Sequence, residues 1–594
     1  MTDRAAPTAD PMWFGPSDRP VFGWLHTPGD GQASGAVVLC PPLARERASV
    51  HDTYRALAER LAEAGLVAVR FDYEGTGDSA GTDAGPGRIE AWLASVDQAV
   101  ALARSTGVDR VGLVGMRMGA VLAAAAAERL SGVDVVGVDA LVAWDPCWSG
   151  RTFVRQQRSI SLLRFGAEDT GVAPGELPGF RFDDMTITAI GALRLPVGGV
   201  QAARRALVLS RPDATVPAAA RAELASTTVE WQEAAGQAEL VDVEPVLSQI
   251  PTQTMEHVVQ WLGTALGGDR QPVGHVDAVD STVLSQGDRL IEERCRRLGP
   301  WGLFGIETAP VGDARGPVVV MSNSGTDWHV GPNRLWVNLA RQLAVRGLRS
   351  VRFDLSGLGD SPTRPGQPAA VSYAPDALDD LAEVSAAVSP DDPSNVVLVG
   401  LCSSAYLSLE GALNMLPRGV AAINPIFCFT PPEMASGPMD ERRRICRPLT
   451  SAVRVFRAIR FAPLRNRLRS VAWRCANLMA GKQSPDHWMN ELISADVDVF
   501  CIGGETELQP LLDVDRHDGA ATAGCRIDVL PGLDHALLYS PQRDQVISAL
   551  LEHLAERFAP TPARASSIGH EGCAVEEHAV QEQAAAPSLM SGAQ

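Results

Sequence analysis

Two tandem α/β domains, each a mostly parallel sheet flanked by helices, are what this sequence predicts. Three observations predict them: a chain of 594 residues is too long for one core, a set of short strings recurs at one fixed offset, and short apolar runs alternate with helical patterns in both copies. The offset is the strongest of the three. Val21-Phe22-Gly23 returns as Leu303-Phe304-Gly305, Val69-Arg70-Phe71-Asp72 as Val351-Arg352-Phe353-Asp354, and Gly75-Thr76-Gly77-Asp78-Ser79 as Gly357-Leu358-Gly359-Asp360-Ser361, each 282 positions on. One spacing shared by three strings marks a duplication of a domain of roughly 250 residues.

In the second copy, Val318 to Met321 suits a buried parallel strand, Leu335 to Val345 has helical apolar spacing stopped by Gly347, and Ser350 to Phe353 is the next strand. Asn395 to Val399 is a further buried strand that runs straight into Gly400. The first copy repeats the order with Ala36–Cys40, Tyr54–Ala64, Val67–Phe71 and Arg110–Val114. Such an order gives a doubly wound sheet whose ligands bind beyond the carboxyl ends of the strands. The expected organisation is a disordered head over 1–12, a first domain over 13–266, a linker and entry segment over 267–300, a second domain over 301–558 with a cap at 425–495, and a disordered tail over 559–594.

Composition narrows the function. A hydrophobic share of 45% and a charged share of 21% are those of a globular protein, and a net charge of −19 opposes a nucleic-acid partner. The longest apolar runs fall short of the ~18 residues a membrane span needs, and the start lacks signal-peptide order, so a cytoplasmic protein without a membrane span is expected. The ten cysteines include no C-x-x-C pair and default to small buried hydrophobes unless a local feature argues otherwise. No metal-ligand cluster or phosphate loop stands out, and Gly75-x-Gly77 lacks the third glycine of a dinucleotide site, so no metal or cofactor is expected.

A local feature does argue for Cys402. It follows a buried strand and precedes a helix-compatible run, in Gly400-Leu401-Cys402-Ser403-Ser404-Ala405. A nucleophile elbow is so tight that the residues two before and two after the nucleophile must be small. Cys402 is flanked by Gly400 and Ser404, whereas Ser403 would meet Leu401 and Ser404 would meet Tyr406. The nucleophile is therefore a cysteine. His535, in Leu530-Pro531-Gly532-Leu533-Asp534-His535, stands after the last strand and before the final helix, where the base of a triad belongs. The acid follows the strand Val497–Ile502, with Glu507 preferred and Glu505 as the alternative. The oxyanion hole would use backbone N–H groups of Ser403 and Ser324, and His329, Asn333 and Arg334 could contact substrate or stabilise their loop. In the first copy the same turn reads Gly115-Met116-Arg117-Met118-Gly119. A guanidinium cannot attack a carbonyl, and although Asp213 stands where an acid belongs, no suitable histidine follows it.

With these residues in view, both halves resemble the α/β-hydrolase superfamily, in particular bacterial serine-aminopeptidase-like hydrolases, through the Phe-Asp-x-x-Gly-x-Gly-Asp-Ser string in each. The first half is similar to exosortase-associated hydrolases in its Gly-x-Arg-x-Gly elbow, Trp144-Asp145-Pro146 and Gly150-Arg151. The second is similar to hydrolases with a Gly-Leu-Cys-Ser-small elbow, matched by Gly400 to Ser404 and Gly331 to Leu335. The resemblance implies two α/β-hydrolase domains and acyl chemistry, without fixing a substrate.

The second insertion reverses the charge of the chain. From Pro425 to Ala495 it carries eleven arginines and Lys482 against Glu433, Asp440, Glu441, Asp486 and Glu491. Arginine forks suit phosphate, so Arg442, Arg443 and Arg444 could dock an acyl carrier protein or coenzyme A. The sequence thus points to a thioesterase or acyltransferase with a Cys402-His535-Glu507 triad, working through an acyl-cysteine on a thioester-activated metabolite. A non-catalytic scaffold and a small-molecule ester or C–C hydrolase are the competing expectations.

Overall fold

The computed structural model describes residues 5–131, 137–165, 176–225, 228–367, 369–372, 374–425, 485–517 and 524–558. Two sheets organise them. The first has eight strands in the order Thr8–Phe14, Val21–Thr27, Val67–Phe71, Ala36–Cys40, Val111–Met116, Ala140–Trp144, Arg205–Ser210 and Val229–Glu233. The second has nine, in the order Ser281–Gln286, Arg289–Leu298, Leu303–Pro310, Ser350–Phe353, Val318–Ser322, Val396–Leu401, Gly419–Ile423, Asp498–Gly503 and Cys525–Val529. In both, antiparallel strands enter a run of parallel ones. The central parallel strands are apolar along their whole length because helices cover both faces, so no polar alternation is possible.

Two expected boundaries change. The head is not disordered throughout: Thr8–Phe14 pairs with Val21–Thr27, with Met12 and Trp13 buried on the sheet. Nor is 267–300 a linker. Gln271–Pro272 pairs with Gln32–Ala33 of the first half, while Ser281–Gln286 and Arg289–Leu298 form a hairpin of the second sheet. Leu284 and Ile291 pair across it, but the next inward position is the buried Glu293, so the apolar alternation that announces a strand pair is broken. Residues 1–559 form one compact unit holding both sheets; the expected tail, and most of the expected cap (426–484), lie outside the described residues.

The recurring string explains how the halves join. Ser79 Oγ accepts Phe22 N–H (2.9 Å) and donates to Asp72 O (2.7 Å); Ser361 does the same with Phe304 N–H (2.8 Å) and Asp354 O (2.6 Å). Each loop thereby presents its aspartate to the opposite half. Asp78 meets Arg352 at 3.0 Å, and Asp360 meets Arg70 at 2.5 Å. Trp24 packs edge-on against Phe304 with ring centroids 4.7 Å apart, and His51 stacks on Trp328 at 4.5 Å. The repeated residues are thus reciprocal interface residues.

Candidate active site

Strand Val396–Leu401 turns into helix Ser403–Met415 through Cys402, whose φ of 58° and ψ of −112° lie where few non-glycine residues are found. The surroundings hold it there. Cys402 N donates to Ile423 O (3.0 Å), and Ser404 Oγ closes on the N–H (2.9 Å) and carbonyl (3.0 Å) of Leu401. A Cβ at Gly400 would lie 2.2 Å from Ser404 O, which is the steric reason for the small residue. The thiol is left half-buried at the helix N-terminus, where unsatisfied N–H groups favour an anion.

His535 Nδ1 lies 3.5 Å from Glu507 Oε1, and Cys402 is near enough to the same ring to act on its charge. Burial disfavours its charged form, yet the bonds and charges of Cys402 and Glu507 outweigh burial and raise its pKa to about 10. The structure therefore brings Cys402, His535 and Glu507 together, while Glu505 is exposed at the start of helix Glu505–His517. Ser403 is the first residue of its helix, so its N–H has no acceptor within the helix. Ser324 sits beside it, its Oγ donating to Leu401 O (2.7 Å), and Ser403 Oγ accepts Gly325 N–H (2.7 Å). The loop Asn323–Gly325 is thus fastened to the elbow.

Sequence reasoning missed Asn424. It is fully buried at a φ of 44°, donates to Asp534 O (3.3 Å) and His535 O (3.1 Å), and accepts Gly504 N–H (3.2 Å). One side chain thereby ties the histidine loop to the loop that leads to Glu507. The signal available in sequence was a lone amide at the end of strand Gly419–Ile423.

The predicted substrate residues divide. Asn333 Nδ2 donates to Ala536 O (3.1 Å) and Leu537 O (3.2 Å), which fixes the histidine loop. His329 and Arg334 turn away from substrate and into the other half. His329 is 1% exposed with Nδ1 2.8 Å from Asp354 and Nε2 2.8 Å from Asp78, so both nitrogens are taken. Arg334 donates to the carbonyls of Gly75, Gly77, Ser79 and Gly81. Of the two roles expected for this pair, loop stabilisation is the one the geometry allows.

The first-half elbow keeps its shape without its chemistry. Arg117 has a φ of 57°, and its guanidinium is buried against Glu46 (3.3 Å) and Asp145 (3.1 Å). Asp145 stands at the end of its strand as Asn424 does in the second half, and it also pairs with Arg211 (3.2 Å). Asp213 is largely exposed, 4.0 Å from Arg211, so it is not part of a buried relay. Among the described residues, His329, Asp354 and Asp360 bring ligand atoms within 4.8 Å of one another. Those atoms are engaged with one another, with Asp78 and with Arg70.

Residues 316–585 match the family model of the alpha/beta hydrolase family. The second half of the chain belongs to the α/β-hydrolase superfamily. The match covers the second half; the first half repeats that half's strand order and elbow. Solved structures to which the chain is similar include Est1E from Butyrivibrio proteoclasticus (16% identity, 44% of this chain and 100% of that one, TM-score 0.33). An esterase of Pyrococcus furiosus (15%, 44% and 92%, 0.31) and a proline iminopeptidase of Mycobacterium smegmatis (14%, 44% and 99%, 0.29) are similar to the same extent. No curated protein matches. Among the described residues, no helix is long and apolar enough to cross a membrane.

Proposed function

We propose that the second half is an acyl-transfer enzyme, a thioesterase or acyltransferase that works through an acyl-cysteine at Cys402. The observation that carries this reading is the alignment of the elbow thiol, His535 and Glu507. A cysteine in the nucleophile position, with an imidazole that favours its protonated form, suits a thiolate–imidazolium pair. The thiolate adds to the carbonyl carbon of a thioester. The negative oxygen so formed is met by the N–H groups of Ser403 and Ser324. As the tetrahedral adduct collapses, His535 gives its proton to the departing thiolate, and the acyl group stays on sulfur. Water, an alcohol or an amine then loses a proton to His535 and attacks the acyl-cysteine, releasing Cys402 and a carboxylic acid, ester or amide. Exchange of one thioester for another is nearly balanced in energy, which suits transfer. The arginines of the insertion, Arg442, Arg443 and Arg444 among them, are assigned to an acyl carrier protein or coenzyme A on charge alone.

Intact-protein mass spectrometry after exposure to a panel of acyl thioesters tests the reading. The expected result is an acyl increment on the full chain that is absent in Cys402→Ala. An increment that survives Cys402→Ala, or none with any thioester, refutes it and returns the chain to the scaffold reading.

A further inference from the structure

We propose that the first half positions the histidine of the second, through a hairpin whose Glu176 and Gly179 hold the chain just after His535; this rests on the acyl-transfer reading of Cys402. The hairpin pairs Glu176–Leu177 with Phe180–Arg181 and turns at Gly179. Gly179 N–H donates to Leu538 O (2.9 Å), and Glu176 Oε2 accepts Ser540 N–H (3.3 Å). Leu538 and Ser540 follow His535 closely in sequence, with no regular element between them and the histidine.

Several features set these contacts apart from ordinary packing between domains. Glu176 is 3% exposed, and its second oxygen, Oε1, has no hydrogen-bond partner among the described residues. A buried carboxylate with an unpaired oxygen costs stability, so a bare contact surface gains nothing from it. Gly179 has a φ of 88°, and a Cβ there would lie 2.2 Å from Asn333 Oδ1, the side chain that holds the carbonyls of Ala536 and Leu537. The hairpin is itself anchored, because Arg181 N–H donates to Asp83 (3.0 Å), just past the loop whose carbonyls Arg334 takes. Segment 536–540 is therefore gripped from its own half by Asn333 and Arg543 and from the other half by the hairpin. A proton-transfer group displaced by about 1 Å loses on the order of 10² in rate, so a grip of this kind bears directly on turnover.

The test uses the full chain carrying Glu176→Ala, Glu176→Gln or Gly179→Ala. It reads kcat and KM on an acyl thioester, and the titration of His535 by NMR of histidine-labelled protein. Expected for Glu176→Ala are a kcat about tenfold lower, a KM within about twofold, and a His535 midpoint at least one pH unit below the wild-type value. Glu176→Gln keeps an acceptor at the same place and should recover kcat to within about threefold. Gly179→Ala should act in the same direction by pushing Asn333 off its carbonyls, and it decides the question alone if Glu176→Ala does not fold. Wild-type kcat and wild-type His535 titration in both Glu176→Ala and Gly179→Ala would overturn the inference, as would failure of Glu176→Gln to recover a loss seen in Glu176→Ala. If the wild-type chain turns over no thioester, the acyl-transfer reading fails, and the His535 titration still judges the positioning.

Discussion

Arg70 of the first half pairs with Asp360 of the second at 2.5 Å, and the equivalent residues pair in the reverse direction, Arg352 with Asp78 at 3.0 Å. A contact in which residue i of one copy meets residue j of the other, and j meets i, is the signature of twofold assembly. Here both copies lie in one chain, and the two pairs flank the buried His329.

Arg352 is fully buried between Asp78 and Glu293. Replacing it with Met removes one of the two cations that each carboxylate faces, leaving Asp78 with His329 and Glu293 with Arg341, a defect worth about 3 kcal/mol, the lower end for a broken buried pair. Chemical denaturation should show a loss of that size. A change under about 0.5 kcal/mol, the level of an exposed site, would mean that the pair does not hold the halves together.

His329 gives the interface a pH dependence. Burial disfavours its charge, but Asp354 and Asp78 prevail and lift its pKa from 6.5 to about 10. The folded value lies above the free one, so the stabilisation is complete below pH 6.5 and is lost as pH rises through about 10. Melting temperatures measured from pH 6.5 to 10 should fall, and His329→Gln should flatten that slope. An unchanged slope in the variant would assign the loss to other groups.

In the second half, His535→Ala should lower acyl turnover by about 10²–10⁴, the range for loss of a general acid–base. Cys402→Ser should keep the fold and lose most of the rate. Single-turnover acylation measured by mass spectrometry distinguishes these from a binding defect.

Arg117 neutralises Glu46 and Asp145 in the first-half elbow, so Arg117→Met should destabilise the fold without moving acylation from Cys402. Arg117→Ser should create no second nucleophile, because the carboxylates beside it offer no imidazole. Peptide mapping that finds an acyl group in residues 20–265 would contradict this.

Salt tests the carrier proposal. Raising ionic strength from 0.1 M to 1 M shortens the Debye length from about 10 Å to about 3 Å, so association with an acidic carrier should slow steeply. Neutralising Arg442, Arg443 and Arg444 should raise KM for a carrier-bound thioester and leave a small uncharged one unaffected. Equal effects on both substrates would remove the docking role.

The elbow was legible in sequence because its constraint is local. Gly400 and Ser404 are dictated by contacts within one turn, and His535 by its place after the last strand. Asn424 was not legible, since its worth lies in carbonyls more than a hundred positions away. For His329 and Arg334, polar and close to the loop of Ser324, the sequence leaves substrate contact and loop stabilisation equally open. What they meet instead is the other copy, and a sequence does not display which of its own surfaces it buries. The repeat itself held the clue: Asp78, Arg70 and their equivalents recur in both halves although the two elbows carry different residues, Arg117 and Cys402.

The reciprocal pairing also has a consequence for dilution. Two separate chains joined through Arg70 and Asp360 would come apart as their concentration fell, because each encounter must repay lost translational freedom. Joined by one continuous backbone, the halves meet at an effective concentration that no dilution alters, and neither can exchange its neighbour for another. The second half therefore keeps its companion at any cellular abundance, and the acyl turnover proposed for it should not vary per molecule with protein concentration.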